Sequence, residues 1–135
     1  LDAHPDFLLV ISYNPGYQNV LKDLKTSTRQ RFVAIDFDYP SESAEAEIIA
    51  HESGIEPSAA QQLALLGTKV RHLKQHGFDE GVSTRLLIYA AQMMVAGVRP
   101  HRACDVAVSR AVSDDPEVQE AMQAVVMAIF PEIEQ

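Results

Sequence analysis

Apolar and polar positions divide the chain into two unlike parts. Phe7-Leu8-Leu9-Val10-Ile11 is an unbroken apolar run, too short for an independent helix and rich in strand formers. It reads as a strand buried on both faces, the kind found inside a parallel sheet. Asn14-Pro15-Gly16 ends it in a turn, which puts Asn14 just past the strand's carboxyl end, where open α/β sheets bind ligands. A charged helical stretch over 17–28 carries Val20, Leu21 and Leu24 as its apolar stripe. Arg29-Gln30-Arg31 then leads into a second strand over 32–39, where Val33, Ile35, Phe37 and Tyr39 alternate with Phe32, Ala34, Asp36 and Asp38.

After Pro40 the period changes from two to between three and four. Ser41 is placed to cap a helix with Glu42 and Glu45 in its first turn, apolar positions at Ala44, Ile48 and Ile49, and Gly54 as its stop. Pro57 opens a second helix, in which Leu63, Leu66, Val70 and Leu73 repeat until Gly77. A third begins at Ser83 or Thr84, turns Leu86, Leu87, Ala90, Ala91 and Met94 inward, and closes at Gly97. The fourth spans Pro100 to about Val112. The last starts at Asp115-Pro116, carries Val118, Met122, Val125, Val126 and Ile129, and stops at Pro131. The expected chain is mostly α: a small α/β part over residues 1–40, then an all-helical domain over 41–135.

Composition narrows the function classes. The 135 residues include 19 acidic and 11 basic ones, a net charge of -8, so a broad basic footprint for nucleic acid is missing. No apolar run approaches membrane-spanning length. One cysteine, Cys104, cannot form an internal disulfide, which fits a reducing cytosol.

The wording VISYNPGYQ, LKDLKTSTRQRF, DFDYP and LKQHGFDEGVSTRLLIYA resembles the CbbQ/NirQ/NorQ branch of the MoxR-type AAA+ ATPases, over nearly the whole chain. The resemblance implies the end of an AAA+ core, a remnant of its parallel sheet, followed by the helical lid. No GxxxxGK followed by Ser or Thr occurs, and no apolar strand ends in Asp-Glu. The phosphate-cradling loop and the magnesium-holding carboxylates are therefore absent. A C-terminal fragment of the full-length protein is expected, inactive alone and binding no cofactor, whereas the full-length protein uses ATP and Mg. The resemblance also implies a cytoplasmic hexameric ring, a chaperone working with a von Willebrand factor A-type adaptor. Its target would be a metabolic enzyme such as Rubisco or a nitric-oxide reductase. The competing class is a non-catalytic helical interaction module.

Four residue sets are candidates for chemistry. Asn14 matches the sensor that orients the attacking water; the plainer reading is a turn residue before Pro-Gly. Arg31, directly before Phe32, matches the arginine finger that reaches ATP in a neighbouring subunit, with Arg29 close enough to serve instead or to assist. Guanidinium forks suit phosphate oxygens, but a solvated cluster with Lys22 and Lys25 explains the same residues. Arg85 lies in the first turn of the third helix, where a cation opposes the helix dipole. It matches the second sensor, which contacts the γ-phosphate, and its structural alternative is a salt bridge to Asp79 or Glu80. His72 and His76 share a helical face, yet no third ligand joins them, so no metal site is expected. Cys104, Met93, Met94 and Met122 read as packing residues.

Overall fold

The computed structural model describes residues 2–12, 26–73 and 81–131, with the side chains of Thr26 and Arg29 excepted. The chain divides into two compact units, Leu1–Phe37 and Asp38–Gln135. In the first, the described regular structure is one short helix, α1 (Thr26–Arg29). Residues 7–11 and 32–39 form no strand; no strand occurs among the described residues. Both expected strands, and with them the sheet remnant, are thus corrected. The side chains of Phe7, Leu8, Val10, Val33, Ile35 and Phe37 stand exposed. The physical reason lies in the ladder: a strand exists through hydrogen bonds to its neighbours, and a doubly buried one needs layers over both faces. The described residues supply neither.

In the second unit the described regular elements are all helical. Its elements are α2 (Glu42–Ser53), α3 (Pro57–Leu73), α4 (Thr84–Val95), α5 (Pro100–Cys104), a π-helical turn (Asp105–Ser109), α6 (Arg110–Val112) and α7 (Pro116–Ile129). Local chemistry explains most boundaries. The Ser41 hydroxyl accepts from the Ala44 amide, and Gly54 closes α2 in the left-handed conformation, φ 72°. Pro57, Pro100 and Pro116 stand first in their helices, where a missing N–H costs nothing. Asp115 caps α7 by accepting from the Glu117 amide at 2.9 Å. The π-helical turn turns three successive residues, Ala107, Val108 and Ser109, into the interior. Its first residue, Asp105, accepts from Gln123 of α7 at 3.1 Å and from Arg110 at 3.1 Å.

Helix α2 packs on α3 and α4, α3 also meets α7, and α4 meets α5 and the π-helical turn. Between them lies one core of Ile49, Leu63, Leu66, Val70, Leu87, Val108, Met122 and Val126. Ile48 departs from expectation: it is exposed, and the buried face of α2 is Glu45, Ala46 and Ile49. A charged residue therefore occupies a core position.

Candidate functional site: a buried carboxylate behind an exposed arginine

Glu45 is fully buried, which is costly for a carboxylate unless it is paired and hydrogen-bonded. It is both. Arg71 of α3 grips it with two parallel bonds, Nη1 to Oε2 at 2.7 Å and Nη2 to Oε1 at 2.6 Å. Such a fork gives strength and fixed geometry together. The Thr84 hydroxyl donates to Oε1 at 2.6 Å. The remaining face and edge of the guanidinium are also used. Arg71 Nε donates to the Val82 carbonyl at 2.8 Å, and the Tyr39 ring centroid lies 3.8 Å from Cζ. Room for this stack depends on Gly81, where an added Cβ would come within 3.0 Å of the Tyr39 oxygen and 3.2 Å of Arg71 Cγ. One carboxylate and one guanidinium thus join α2, α3, Tyr39 and the entry into α4.

The outer side of that entry carries Arg85, which is exposed. Among the described residues it makes no hydrogen bond or ion pair; its sequence alternatives, Asp79 and Glu80, lie outside them. The first turn of α4 holds no acidic residue, and Ser83 makes no side-chain cap bond. The first two amides of α4, those of Thr84 and Arg85, have no intrahelical acceptor. The end of α4 therefore presents open N–H donors beside a guanidinium, a combination suited to anionic oxygen.

Arg31 is exposed in the first unit, its amide bonded to the Thr28 carbonyl at 3.1 Å. Arg29 ends α1. Asn14 and His76 lie outside the described residues, and His72 is exposed. Among the described residues no three metal-capable side chains cluster. No described helix is long and apolar enough to cross a membrane. Cys104 is buried, and burial pushes its thiol up to about 12, so at neutral pH it stays protonated and unreactive.

Sequence reasoning missed Glu45 and Arg71. Glu45 was legible only as a first-turn acid. The available signal was its place four residues before Ile49, on the face that α2 buries.

The geometry defines a class: an all-helical domain with a buried ion pair at its centre and an arginine-bearing helix end at its surface. Residues 45–129 match the family model described as CbbQ/NirQ/NorQ C-terminal. Protein CbbQ of Hydrogenophilus thermoluteolus is 52% identical over 130 residues, 96% of this chain and 49% of that protein. Denitrification regulatory protein NirQ of Pseudomonas aeruginosa is 52% identical over 126 residues, 93% of this chain and 48% of the relative. Protein NorQ of Paracoccus denitrificans is 48% identical over 130 residues, 96% of this chain and 48% of the relative. The chain belongs to the CbbQ/NirQ/NorQ family. It spans about half the length of the curated relatives it matches.

Proposed function

We propose that this chain is the C-terminal portion of a cytoplasmic AAA+ ATPase, an ATP-driven chaperone that activates or matures a target enzyme. On this reading residues 41–135 are the lid over a nucleotide held chiefly by residues outside this chain. The protein works as a hexameric ring with a von Willebrand factor A-type adaptor. The target is an enzyme of the Rubisco or nitric-oxide reductase type. The name of the NirQ relatives, denitrification regulatory protein, supports a regulatory role.

One observation carries the reading: Arg85 stands exposed on an uncapped helix end whose inner side is bolted to a buried carboxylate. A cation in a helix's first turn is locally unfavourable by roughly 0.3–1 kcal/mol. An anion drawn to the same spot reverses that sign. ATP with Mg fits such an end through its γ-phosphate oxygens, and Arg85 is the residue that would meet them. Bound there, the nucleotide supplies the phosphoryl group and the metal its charge neutralisation. Arg85 orients and stabilises the terminal oxygens. Asn14 orients water and Arg31, or Arg29, reaches a neighbour's nucleotide.

The test is Arg85→Ala in the full-length protein. Hydrolysis at saturating ATP should fall by roughly 10²–10³-fold, the scale for losing one transition-state donor, with assembly less affected. Equal rates in variant and wild type would assign Arg85 to a surface salt bridge.

A binding-only module is the second reading. It draws on a groove between α2 and α3, lined by Glu42, Ala46, Glu47, Ala50, Pro57 and Gln61 among others. A P-loop and an Asp-Glu strand encoded ahead of Leu1 would decide for the ATPase.

A further inference from the structure

Ser83, the residue that caps α4, makes no capping bond of its own, yet both of its neighbours are tied down. On one side the Val82 carbonyl accepts from Arg71 Nε at 2.8 Å, and Val82 itself is fully buried. On the other side the Thr84 hydroxyl donates to Glu45 Oε1 at 2.6 Å. The same carboxylate oxygen takes the 2.6 Å bond from Arg71 Nη2, so both ties end on one rigid pair. Threonine is stiff at χ1, and fixing its hydroxyl fixes the backbone that carries it. The next residue is Arg85. The backbone of α4 then starts with the Leu86 N–H donating to the Ser83 carbonyl at 3.1 Å and the Leu87 N–H donating to the same oxygen at 3.5 Å.

We infer that Glu45 and Arg71 are positioning residues: through Thr84 and Val82 they replace the missing side-chain cap of α4 and set the direction in which Arg85 faces. The arrangement leaves the Thr84 and Arg85 amides open, whereas a serine cap can occupy a first-turn amide. Water competes poorly for it, since the Glu45 side chain is 0% exposed and that of Arg71 11%. The inference rests on the proposed phosphate role of Arg85 for its functional meaning, but the positioning itself is a property of the helical unit.

Glu45 and Arg71 are unsuitable as first targets, because removing either leaves a buried charge and endangers the fold. Thr84→Val removes only the hydroxyl and keeps the shape, while Thr84→Ser keeps the hydroxyl. The first measurement is amide hydrogen exchange on this chain. Losing a hydrogen bond to a charged acceptor should speed exchange at Leu86 and Leu87 by roughly ten- to a hundredfold. Amides of α7, such as Val126, should stay at the wild-type rate, and Thr84→Ser should behave as wild type. Unchanged Leu86 and Leu87 amides, or equal acceleration in α7, overturn the inference.

The second measurement is a double-mutant cycle on hydrolysis by the full-length protein. Thr84→Val should lower kcat by roughly ten- to a hundredfold through misplacement of Arg85. Arg85→Ala added to Thr84→Val should then cost much less than Arg85→Ala alone. Additive losses overturn the inference while leaving the lid reading intact. If Arg85→Ala alone has no effect, the lid reading fails, and the exchange experiment still decides whether Thr84 positions this helix end.

Discussion

Arg71 engages four groups at once: two oxygens of Glu45, the Val82 carbonyl and the Tyr39 ring. Breaking a buried pair from one side leaves the other charge uncompensated, which costs about 3–5 kcal/mol, whereas replacing both partners with apolar residues of similar volume is often near neutral. Glu45→Gln should therefore lower unfolding stability by about 3 kcal/mol, read from urea denaturation of this chain. Glu45→Leu combined with Arg71→Met should recover most of the loss. A double variant as unstable as the single one, or a single variant with unchanged stability, would contradict the buried-pair account. Arg85 was readable in the sequence because Ser83 and Thr84 signal a helix start and place it in the first turn. Glu45 was readable by sign and not by direction. Local rules saw an acid at a helix start, while its grip comes from a residue 26 positions away.

At the scale of elements, α3 and α4 approach closely at Gly67. An added Cβ there would stand 2.7 Å from Leu87 Cδ1, and the Leu87 side chain is fully buried with little room to yield. Two effects oppose one another in Gly67→Ala. Helix propensity favours alanine by about 1 kcal/mol, and overpacking a core costs about 1–3 kcal/mol. The crowding should win, giving a net loss of about 1 kcal/mol in chemical denaturation; a gain of similar size would show that the helices separate freely. The helices of this unit were legible because caps and period agree: Ser41 with Gly54, Pro57, Pro100, and Asp115 with Pro116. The π-helical turn at Asp105–Ser109 was not legible, since its inward run of Ala107, Val108 and Ser109 reads as ordinary helix. The strands misled for a different reason. Residues 7–11 have strand composition, but composition cannot supply the neighbouring strands on which pairing depends.

For the whole molecule, the two units differ in how far they satisfy themselves. The helical unit closes around its own core, while the first unit leaves Leu8, Val10, Val33 and Phe37 exposed. Exposed apolar segments of this kind call for cover. The AAA+ proposal assigns Arg31, or Arg29, to a pocket in the next subunit, and that assignment reaches from one residue to the assembled ring. It was stated from resemblance alone, and the exposed position of Arg31 is compatible with it.

The most direct test of the account is the ATPase rate of mixed rings. One population carries Arg31→Ala in the full-length protein and keeps pockets without fingers. The other lacks its P-loop lysine and keeps fingers without pockets. Each alone should be nearly inactive, since an arginine finger is worth on the order of 10³–10⁵ in rate where GTPases are the guide. Mixing under conditions of subunit exchange creates interfaces where an Arg31-bearing subunit faces an intact pocket, so activity should return, and it should vanish when exchange is blocked. No recovery despite demonstrated exchange would contradict the account and return Arg31 to its own subunit.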